Sequence, residues 1–398
     1  MTAERVDARA LWGEVLTGNA RRVAEILRSH GPRTRAEIVT LAGLSRPTVT
    51  AGLADLTAAG LVSERLSATG RPAGGRPASV VRLTRSAGLA LGVDVGRRHV
   101  QVAVADLGHN VLTERAATLT CDADDHPEEV LEIAVDLINR SLGDSRAGRW
   151  DVLGIGFGIP APITRDGRIG SPALLPAWGD LAPADELARR LDLPVRVEND
   201  ANLGALAEHV WGAGRGCADL VYVKLATGIG AGIVLDGRLY RGAAGTAGEL
   251  GHVTLDARGP VCRCGNRGCV ELVAGGRALL ENARLTRPEL TDLQDLIQLA
   301  IDGDPGCRRL LIDAGTQLGV ALGGLVNLFN PGRIVLGGEM RGAVALIRES
   351  LLRGLRDTAM AAAADSVEVV PAHLGQRAAA LGGVALALGM DAVPVFSP

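Results

Sequence analysis

The stretch Leu89-Ala-Leu-Gly-Val-Asp-Val-Gly96 predicts an apolar β-strand that ends in an aspartate and a glycine turn. Two segments of alternating apolar and polar residues, 100–106 and 111–116, follow it and predict a hairpin that turns at Gly108-His109-Asn110. A helix near 127–142 and a second buried strand at 152–159 come next. These elements together indicate one α/β unit.

The same order of elements returns in the second half of the chain. An apolar strand, Leu220–Leu225, is followed by the glycine-rich loop Ala226-Thr-Gly-Ile-Gly-Ala-Gly232 and by a hairpin, 233–239, that turns at Asp236-Gly237. Two such units predict a two-lobed α/β body with a duplicated core. Ligands in this arrangement bind in the cleft between the lobes, at the glycine-rich ends of strands.

The composition is that of a globular chain with more than one domain. The chain has 398 residues, 47% apolar and 22% charged, which argues against wholesale disorder. With three Phe, four Trp and two Tyr, an aromatic platform for stacking bases is not expected. Residues 1–90 contain 13 arginines and seven acidic residues, a net charge of +6, whereas the remainder carries −9. A basic head on an acidic body is typical of a nucleic-acid-binding module joined to another domain.

The basic head contains the signals of three short helices and two strands. Residues 20–30 have apolar side chains at helical spacing and stop at a Gly-Pro pair. Thr34 and Glu37 form a T-x-x-E capping box that opens a second helix, and Ser45 caps a third. Two extended runs follow, at 61–66 and 80–83. Three helices and a two-stranded ribbon predict a winged helix-turn-helix.

The start of the third helix supplies residue types that recognise DNA. A recognition helix places its N-terminal residues against base edges, and here they offer one guanidinium and three hydroxyls without a carboxylate. These residues are Ser45, Arg46, Thr48 and Thr50. Arg71 and Arg76 lie in a Gly/Arg/Pro-rich wing, about 67–79, which suits a minor groove because its negative potential attracts guanidinium groups. The alternative interpretation is a three-helix packing scaffold with a solvated linker.

The most specific motif in the chain is His252-(x)9-Cys262-Arg-Cys264-(x)4-Cys269. The chain has no run of 18 uncharged apolar residues and no apolar N-terminal stretch, so we expect neither a membrane nor a secreted location. In a reducing cytoplasm, one imidazole and three thiolates predict a tetrahedral structural Zn²⁺ site. A redox-active cysteine cluster is the alternative.

Carboxylates and an amide accompany this motif. Glu249, His252 and Glu271 lie beside the cysteines, and Glu198-Asn-Asp-Ala-Asn202 follows a predicted strand at 195–197. Carboxylates, an amide and an imidazole suit a polyhydroxylated ligand, because each hydroxyl both donates and accepts a hydrogen bond. Any one of these acids alone is more often a solvated surface group, so the prediction depends on the whole set.

Across residues 1–395 the chain resembles transcriptional regulators of the ROK family (repressors, open reading frames, kinases). The motifs that carry the resemblance are Asp94-Val-Gly96, Gly156-Phe-Gly-Ile-Pro-Ala-Pro162, Glu198-Asn-Asp-Ala-Asn202, Thr227-Gly-Ile-Gly-Ala-Gly232, Glu249-Leu-Gly-His252, Cys262-Arg-Cys-Gly-Asn-Arg-Gly-Cys-Val-Glu271 and Val335-Leu-Gly-Gly338. The resemblance implies an actin-like, hexokinase-type fold for the two-lobed body.

The resemblance also implies roles for individual residues. The structural zinc would be bound by His252, Cys262, Cys264 and Cys269. The sugar site would use Asn199, Asp200, Glu249, His252 and Glu271. In the family's kinases, the residue that matches Asp200 is the base that accepts the proton of the sugar hydroxyl.

The chain departs from the family's kinases in the loops that bind the phosphates of ATP. The kinases follow the first Asp-x-Gly, here Asp94 and Gly96, with Gly-Thr. This chain has Arg97 and Arg98 instead, two long side chains that would fill the space of a phosphate. Arginines can also bind phosphate, so a bound sugar phosphate or nucleotide is the alternative.

The second phosphate loop is altered less. It keeps Thr227, Gly228 and Gly230 but begins with Ala226 where the kinases have glycine. Together the two loops predict weak or absent ATP binding, and therefore no catalysis by this chain.

These observations predict a winged helix-turn-helix in residues 1–85 and a sugar-binding body in residues 86–398. Lobe one would comprise about 86–200 with a C-terminal helix near 377–390, and lobe two about 201–376. We expect a cytoplasmic, sugar-responsive repressor of carbohydrate metabolism that forms a homodimer or homotetramer. Its partners would be double-stranded operator DNA and a sugar or sugar derivative. An ATP-dependent sugar kinase with an N-terminal extension is the alternative, because the kinase base is retained.

Overall fold

Short helices and a small antiparallel sheet form the N-terminal head in the computed structural model, which describes residues 7–66, 79–179 and 181–392. The helices are α1 (Ala8–Ala10), α2 (Gly18–His30), α3 (Arg35–Ala42) and α4 (Arg46–Ala58). The strands are β1 (Arg33–Thr34), β2 (Val62–Leu66) and β3 (Ser79–Leu83), paired in the order β1-β3-β2. Helices α2 to α4 with the β2–β3 ribbon form the predicted winged helix-turn-helix.

Local capping determines where the helices of the head begin. Thr34 Oγ1 accepts a hydrogen bond from the Glu37 N–H at 3.3 Å, while Glu37 Oε2 accepts one from the Thr34 N–H at 2.7 Å. The predicted capping box is therefore present. Ser45 Oγ accepts from the Thr48 N–H at 3.3 Å and caps α4, as predicted. The buried apolar residues of α4 include Val49, Leu53 and Leu56.

An N-terminal segment that we did not anticipate from sequence joins the head to the body. One π-helical turn, Leu11–Val15, follows α1 and buries the indole of Trp12. The indole N–H of Trp12 donates to the carbonyl of Ala87 at 2.8 Å, and the Arg28 guanidinium lies 4.8 Å from the ring centroid. Trp12 belongs to a hydrophobic core that contains residues of both the head and lobe one.

Two five-stranded sheets with the same topology form the body. The first contains β4 (Leu89–Gly96), β5 (His99–Asp106), β6 (Val111–Thr118), β7 (Val152–Ile159) and β8 (Val195–Asn199), in the order β6-β5-β4-β7-β8. The second contains β9 (Leu220–Leu225), β10 (Ile229–Leu235), β11 (Arg238–Tyr240), β12 (Arg333–Gly337) and β13 (Glu368–Pro371), in the order β11-β10-β9-β12-β13. In each sheet the first three strands are antiparallel and the last two join in parallel. The predicted duplication of the core is confirmed.

Helices pack on both sheets and between them. They are α5 (Pro127–Asp144), α6 (Pro183–Leu191), α7 (Asp200–Trp211), α8 (Glu271–Ala274), α9 (Gly276–Arg284), α10 (Leu293–Ile301), α11 (Pro305–Phe329), α12 (Val344–Thr358), α13 (Ala361–Ser366) and α14 (Ala378–Ala387). Helix α14 packs against β4, β7 and α7, while α7 also contacts β9 and β10. The approach of α14 requires Gly92, because a Cβ there would lie 1.8 Å from the carbonyl oxygen of Ala380.

One predicted boundary in lobe two is wrong. We expected a glycine-rich loop over 226–232, but β10 already begins at Ile229 and pairs with β9 from there. Gly232 lies in the strand because α7 packs closely on it; a Cβ there would be 2.5 Å from the Ala201 carbonyl oxygen. Gly232 is therefore required for the packing of α7 on β10, and not for a turn of the chain.

One helix in the described part of the chain, α11, is long and apolar enough to cross a membrane. Eleven of its 25 residues are buried within the protein. It packs along α12, where a Cβ on Gly319 would lie 2.1 Å from the carbonyl oxygen of Leu351. Helix α11 is thus a packed helix of the lobe-two core.

Candidate ligand-binding cleft and metal centre

A cleft between the two lobes brings together all five residues predicted to bind a ligand. These are Asn199, Asp200, Glu249, His252 and Glu271. They come from the end of β8, the start of α7, a 3-10 turn at Leu250–His252 and the start of α8. The folded chain thus collects acceptor groups that are up to 72 positions apart in the sequence.

The start of α7 places two of these residues. Asn199 is the N-cap, and its Oδ1 accepts hydrogen bonds from the N–H groups of Ala201 at 2.9 Å and Asn202 at 3.1 Å. Its amide nitrogen donates to the carbonyl of Ala161 at 3.1 Å. Because the Asn199 side chain holds the start of the helix, Asp200 is the group in this turn that is better placed to bind a ligand.

Asp200 is paired with the single lysine of the chain. Lys224, on β9, donates to Asp200 Oδ2 at 2.7 Å, and its neighbours on the adjacent strands are two glycines, Gly230 and Gly337. Burial alone would lower the pKa of Lys224, but the carboxylates of Asp200 and Asp94 raise it above its ordinary value. The lysine therefore stays charged. We did not select it from sequence, although a single lysine among 42 basic residues was a visible signal.

Two glutamates complete the acceptor groups of the cleft. Glu271 Oε2 accepts a hydrogen bond from the Ile229 N–H at 3.2 Å. This approach requires Gly228, because a Cβ there would lie 2.4 Å from Glu271 Oε2. Burial, together with the charges of Asp200 and Glu271, raises the pKa of Glu249 to about 7. The cleft is therefore electronegative around Glu249.

Side chains surround the first predicted phosphate loop. Arg97 lines the cleft and forms an ion pair with Asp122. Arg98 is exposed and is not among the residues that line the cleft, so the expectation that both arginines fill it is wrong for Arg98. The imidazole of His99, which we did not select, lies 3.2 Å from Asp94 Oδ2. The other residues of the two predicted phosphate loops that line the cleft are Gly96, Ala226, Thr227, Gly228, Ile229 and Gly230.

Four candidate metal ligands meet beside the cleft. The ligand atoms of His252, Cys262, Cys264 and Cys269 all lie within 4.8 Å of one another. Nδ1 of His252 is 3.7 Å from Cys262 Sγ, and Cys264 Sγ is 3.7 Å from Cys269 Sγ. These separations fit a tetrahedral ion with metal–sulfur bonds of about 2.3 Å. Burial and the neighbouring thiols raise the pKa of Cys269 to about 12, so its thiolate needs a nearby cation.

The loop that contains the three candidate cysteine ligands also contacts lobe one. Arg263 lies between two of the cysteines, and its guanidinium is 3.3 Å from Glu271 Oε1 and 3.6 Å from Asp124 Oδ2. Asp124 follows β6 in lobe one and is also 3.9 Å from the guanidinium of Arg277. We did not select these three residues from sequence, because their contacts join segments far apart in the chain, although Arg263 stands inside the Cys262-Arg-Cys264 motif.

The residues predicted to contact DNA lie at the start of α4. Ser45, Arg46 and Thr50 are exposed, and Thr48 is half-buried. The Ser45 and Thr48 hydroxyls share a hydrogen bond of 2.7 Å, and the Thr50 hydroxyl donates to the Arg46 carbonyl at 2.9 Å. The Arg46 side chain is thus the cationic group that this turn offers to a partner. Outside the described residues lie Arg71 and Arg76.

The β5–β6 turn of lobe one contacts the head. Nε2 of His109, a residue with φ 66°, is 2.7 Å from the carbonyl oxygen of Arg28 in α2. The His109 ring lies edge-on to Trp211, the last residue of α7, with 5.7 Å between ring centroids. Gly31 faces this ring, and a Cβ there would lie 2.9 Å from His109 Nδ1. Helix α7 therefore runs from Asp200 in the cleft to this contact with the head.

Comparisons with known proteins agree with this combination of a head and a two-lobed body. Residues 90–390 match the ROK family. The xylose repressor of Bacillus subtilis (strain 168) is 32% identical over 360 residues, 90% of this chain and 91% of the repressor.

Solved structures show the same relationship. The crystal structure of a ROK family transcriptional regulator, a homolog of the E. coli MLC protein, superposes with a TM-score of 0.74 and 28% identity, covering 94% of this chain and 95% of the other. A ROK family glucokinase from Streptomyces griseus, in complex with glucose and AMPPNP, has a TM-score of 0.64 and 28% identity, covering 75% of this chain and 99% of its own. The regulator is thus similar along nearly the whole chain, and the glucokinase along three quarters of it. The chain belongs to the ROK family.

Proposed function

We propose that this protein is a sugar-responsive transcriptional regulator, in which residues 1–85 bind operator DNA and residues 86–398 bind a sugar. The observation that carries this proposal is a winged helix-turn-helix packed on a ROK body in one chain. Similarity to a xylose repressor along 90% of the chain supports it. That similarity also favours repression over activation as the outcome of DNA binding.

The sugar would bind between the lobes, where its hydroxyls meet Asp200, Glu249, His252 and Glu271. Carboxylates accept from hydroxyls, and an imidazole N–H donates to them, so this set matches a polyhydroxylated ligand. Asn199 would act by holding the start of α7, and so the position of Asp200.

A structural Zn²⁺ held by His252, Cys262, Cys264 and Cys269 would stabilise the edge of this site. Nδ1 of His252 faces the cysteines, and its Nε2 lies 4.0 Å from Glu249 Oε2. A metal bound at Nδ1 fixes the orientation of the ring, which leaves Nε2 to donate toward the cleft. The metal would therefore be structural and yet necessary for sugar binding.

On DNA, Arg46 would read a base edge while Ser45, Thr48 and Thr50 contact the surrounding groove. Arg71 and Arg76 of the wing would enter a minor groove. One head offers few base-reading groups, so useful affinity requires two heads in a homodimer or homotetramer. The operator would be an inverted repeat with half-sites about one or two helical turns apart.

An ATP-dependent sugar kinase is the second candidate, and the retained Asp200 is the observation in its favour. Lys224 donates to one oxygen of Asp200 and leaves the other able to accept a proton, so the retained base does not by itself separate the two functions. Against the kinase, Arg97 lines the cleft within the first predicted phosphate loop, where it would fill the space of a phosphate. We therefore expect neither tight ATP binding nor phosphoryl transfer.

The test is DNA binding by the full-length protein, with and without D-xylose, D-glucose or N-acetyl-D-glucosamine. Operator sites are first selected from random duplexes, and affinities are then measured by fluorescence anisotropy. Arg46→Ala should reduce the preference for the selected site about tenfold, as expected for loss of one base contact. Arg308→Ala, which removes an exposed charge on α11, should leave the preference for the selected site unchanged. Failure to select any site would overturn the proposed DNA binding, whereas sugar phosphorylation faster than about 1 per second would promote the kinase.

A further inference from the structure

Lys224 lines the cleft although it belongs to neither of the predicted phosphate loops nor to the predicted sugar site. Its side chain is 17% exposed, and its Nζ lies 2.7 Å from Asp200 Oδ2. In the sheet it is flanked by Gly230 and Gly337, which have no side chains to separate it from the cleft. The two glycines therefore leave enough space for the side chain of Lys224 to extend to Asp200.

The ion pair leaves hydrogen-bonding capacity on both partners. An ammonium group has three N–H donors, and one of those of Lys224 is directed to Asp200 Oδ2. The second carboxylate oxygen of Asp200 remains an acceptor beside it. An adjacent donor and acceptor complement a single hydroxyl, which accepts through its oxygen and donates its hydrogen.

We propose that Lys224 is a specificity-determining residue of the cleft, which donates a hydrogen bond to the oxygen of the same sugar hydroxyl whose hydrogen Asp200 accepts. This inference rests on the proposed function and deepens it. It identifies the ligand as a sugar with a free, unphosphorylated hydroxyl at that position.

The surrounding charges support a neutral ligand. Carboxylates of Asp94, Asp200, Glu249 and Glu271 lie in or beside this part of the cleft, and Asp94 Oδ1 is buried without a hydrogen-bond partner among the described residues. Four cations line the cleft, and each is already paired with an acidic side chain: Arg97, Lys224, Arg263 and Arg277. A phosphate on the hydroxyl bound by Asp200 would add nearly two negative charges beside these carboxylates, so the phosphorylated sugar should be rejected.

The test is isothermal titration calorimetry on the full-length chain. D-xylose, D-glucose and N-acetyl-D-glucosamine are titrated first, followed by singly deoxygenated and phosphorylated derivatives of any sugar that binds. Lys224→Met should weaken binding of the parent sugar about 10- to 100-fold, the range for loss of a hydrogen bond to a charged group. Lys224→Arg, which keeps the charge, should retain part of the affinity. Arg308→Met is the control for loss of an exposed cation.

The deoxygenated derivatives separate specificity from a structural role. The derivative that lacks the hydroxyl bound by Asp200 should bind wild-type protein and Lys224→Met equally, because the contact that the variant removes is already absent. An equal loss of affinity for parent and derivative would overturn the proposal, and so would a phosphorylated form that binds more tightly. Melting temperatures, with the Lys224→Arg variant, report any loss of folding. Tight binding of the parent sugar by Lys224→Met would refute this inference alone, whereas no sugar binding by wild-type protein would overturn the proposed function with it.

Discussion

Replacing His109 by alanine should weaken the contact between the head and the body. The change removes the 2.7 Å hydrogen bond from Nε2 to the Arg28 carbonyl and the edge-on contact with Trp211. Leaving that carbonyl without its partner costs about 1–2 kcal/mol, and losing the ring pair costs about 0.5–1.5 kcal/mol. We therefore expect His109→Ala to lower the free energy of unfolding by about 2–3 kcal/mol.

The backbone conformation of residue 109 allows the expected loss in free energy of unfolding to be checked with a glycine variant. Alanine keeps the positive φ of 66°, so the strain at residue 109 is unchanged. Glycine adopts this conformation more easily, by about 1 kcal/mol, so His109→Gly should lose correspondingly less stability. His126→Ala is the matched control, because His126 is exposed and its side chain does not cap α5; it should change stability by less than about 0.5 kcal/mol.

The assay is urea unfolding of the full-length variants at one protein concentration, followed by circular dichroism and tryptophan fluorescence. The same variants are then tested for the change in DNA affinity that a sugar produces. Because α7 connects the cleft to His109, His109→Ala should bind sugar normally but show a smaller effect of sugar on DNA binding. Equal stability of His109→Ala and His126→Ala would refute the energetic argument. An unchanged sugar effect would refute transmission through α7.

Three further outcomes are expected. Cys264→Ser, or chelation of the metal, should lower both the melting temperature and the sugar affinity; full affinity in protein shown by elemental analysis to be metal-free would contradict the coupling. Burial lowers the pKa of His209 to about 4. Between about pH 6.5 and pH 4, His209 is therefore protonated in the unfolded chain but neutral in the folded protein. Stability should therefore fall on acidification by at most about 3 kcal/mol, and urea unfolding at stepped pH should show a flatter profile for His209→Gln. Asp200→Asn should weaken sugar binding at least tenfold in calorimetry, and a coupled assay should find no ATP-dependent phosphorylation in either protein; an Asp200-dependent rate would contradict this.

The features that sequence alone determined depend on residues close together in the chain. The capping box of Thr34 and Glu37 and the cap at Ser45 arise within one helical turn, so composition and spacing specify them. The three cysteines lie within eight consecutive positions, and one short loop can bring them together. Repetition of a strand followed by a hairpin was enough to predict the duplicated body, because both copies carry the same alternation of apolar residues.

Only the tertiary structure decided which distant groups meet. Lys224 and Asp200 are 24 positions apart, and their pairing depends on strand register and on glycines in both flanking strands. A shift of one residue would turn Lys224 to the other face of the sheet, and no local pattern encodes that choice. The contact of His109 with the head likewise depends on how two separately folded elements pack. Both the ion pair in the cleft and the contact between the body and the head therefore depend on side-chain packing between elements. The local sequence pattern does not encode this packing.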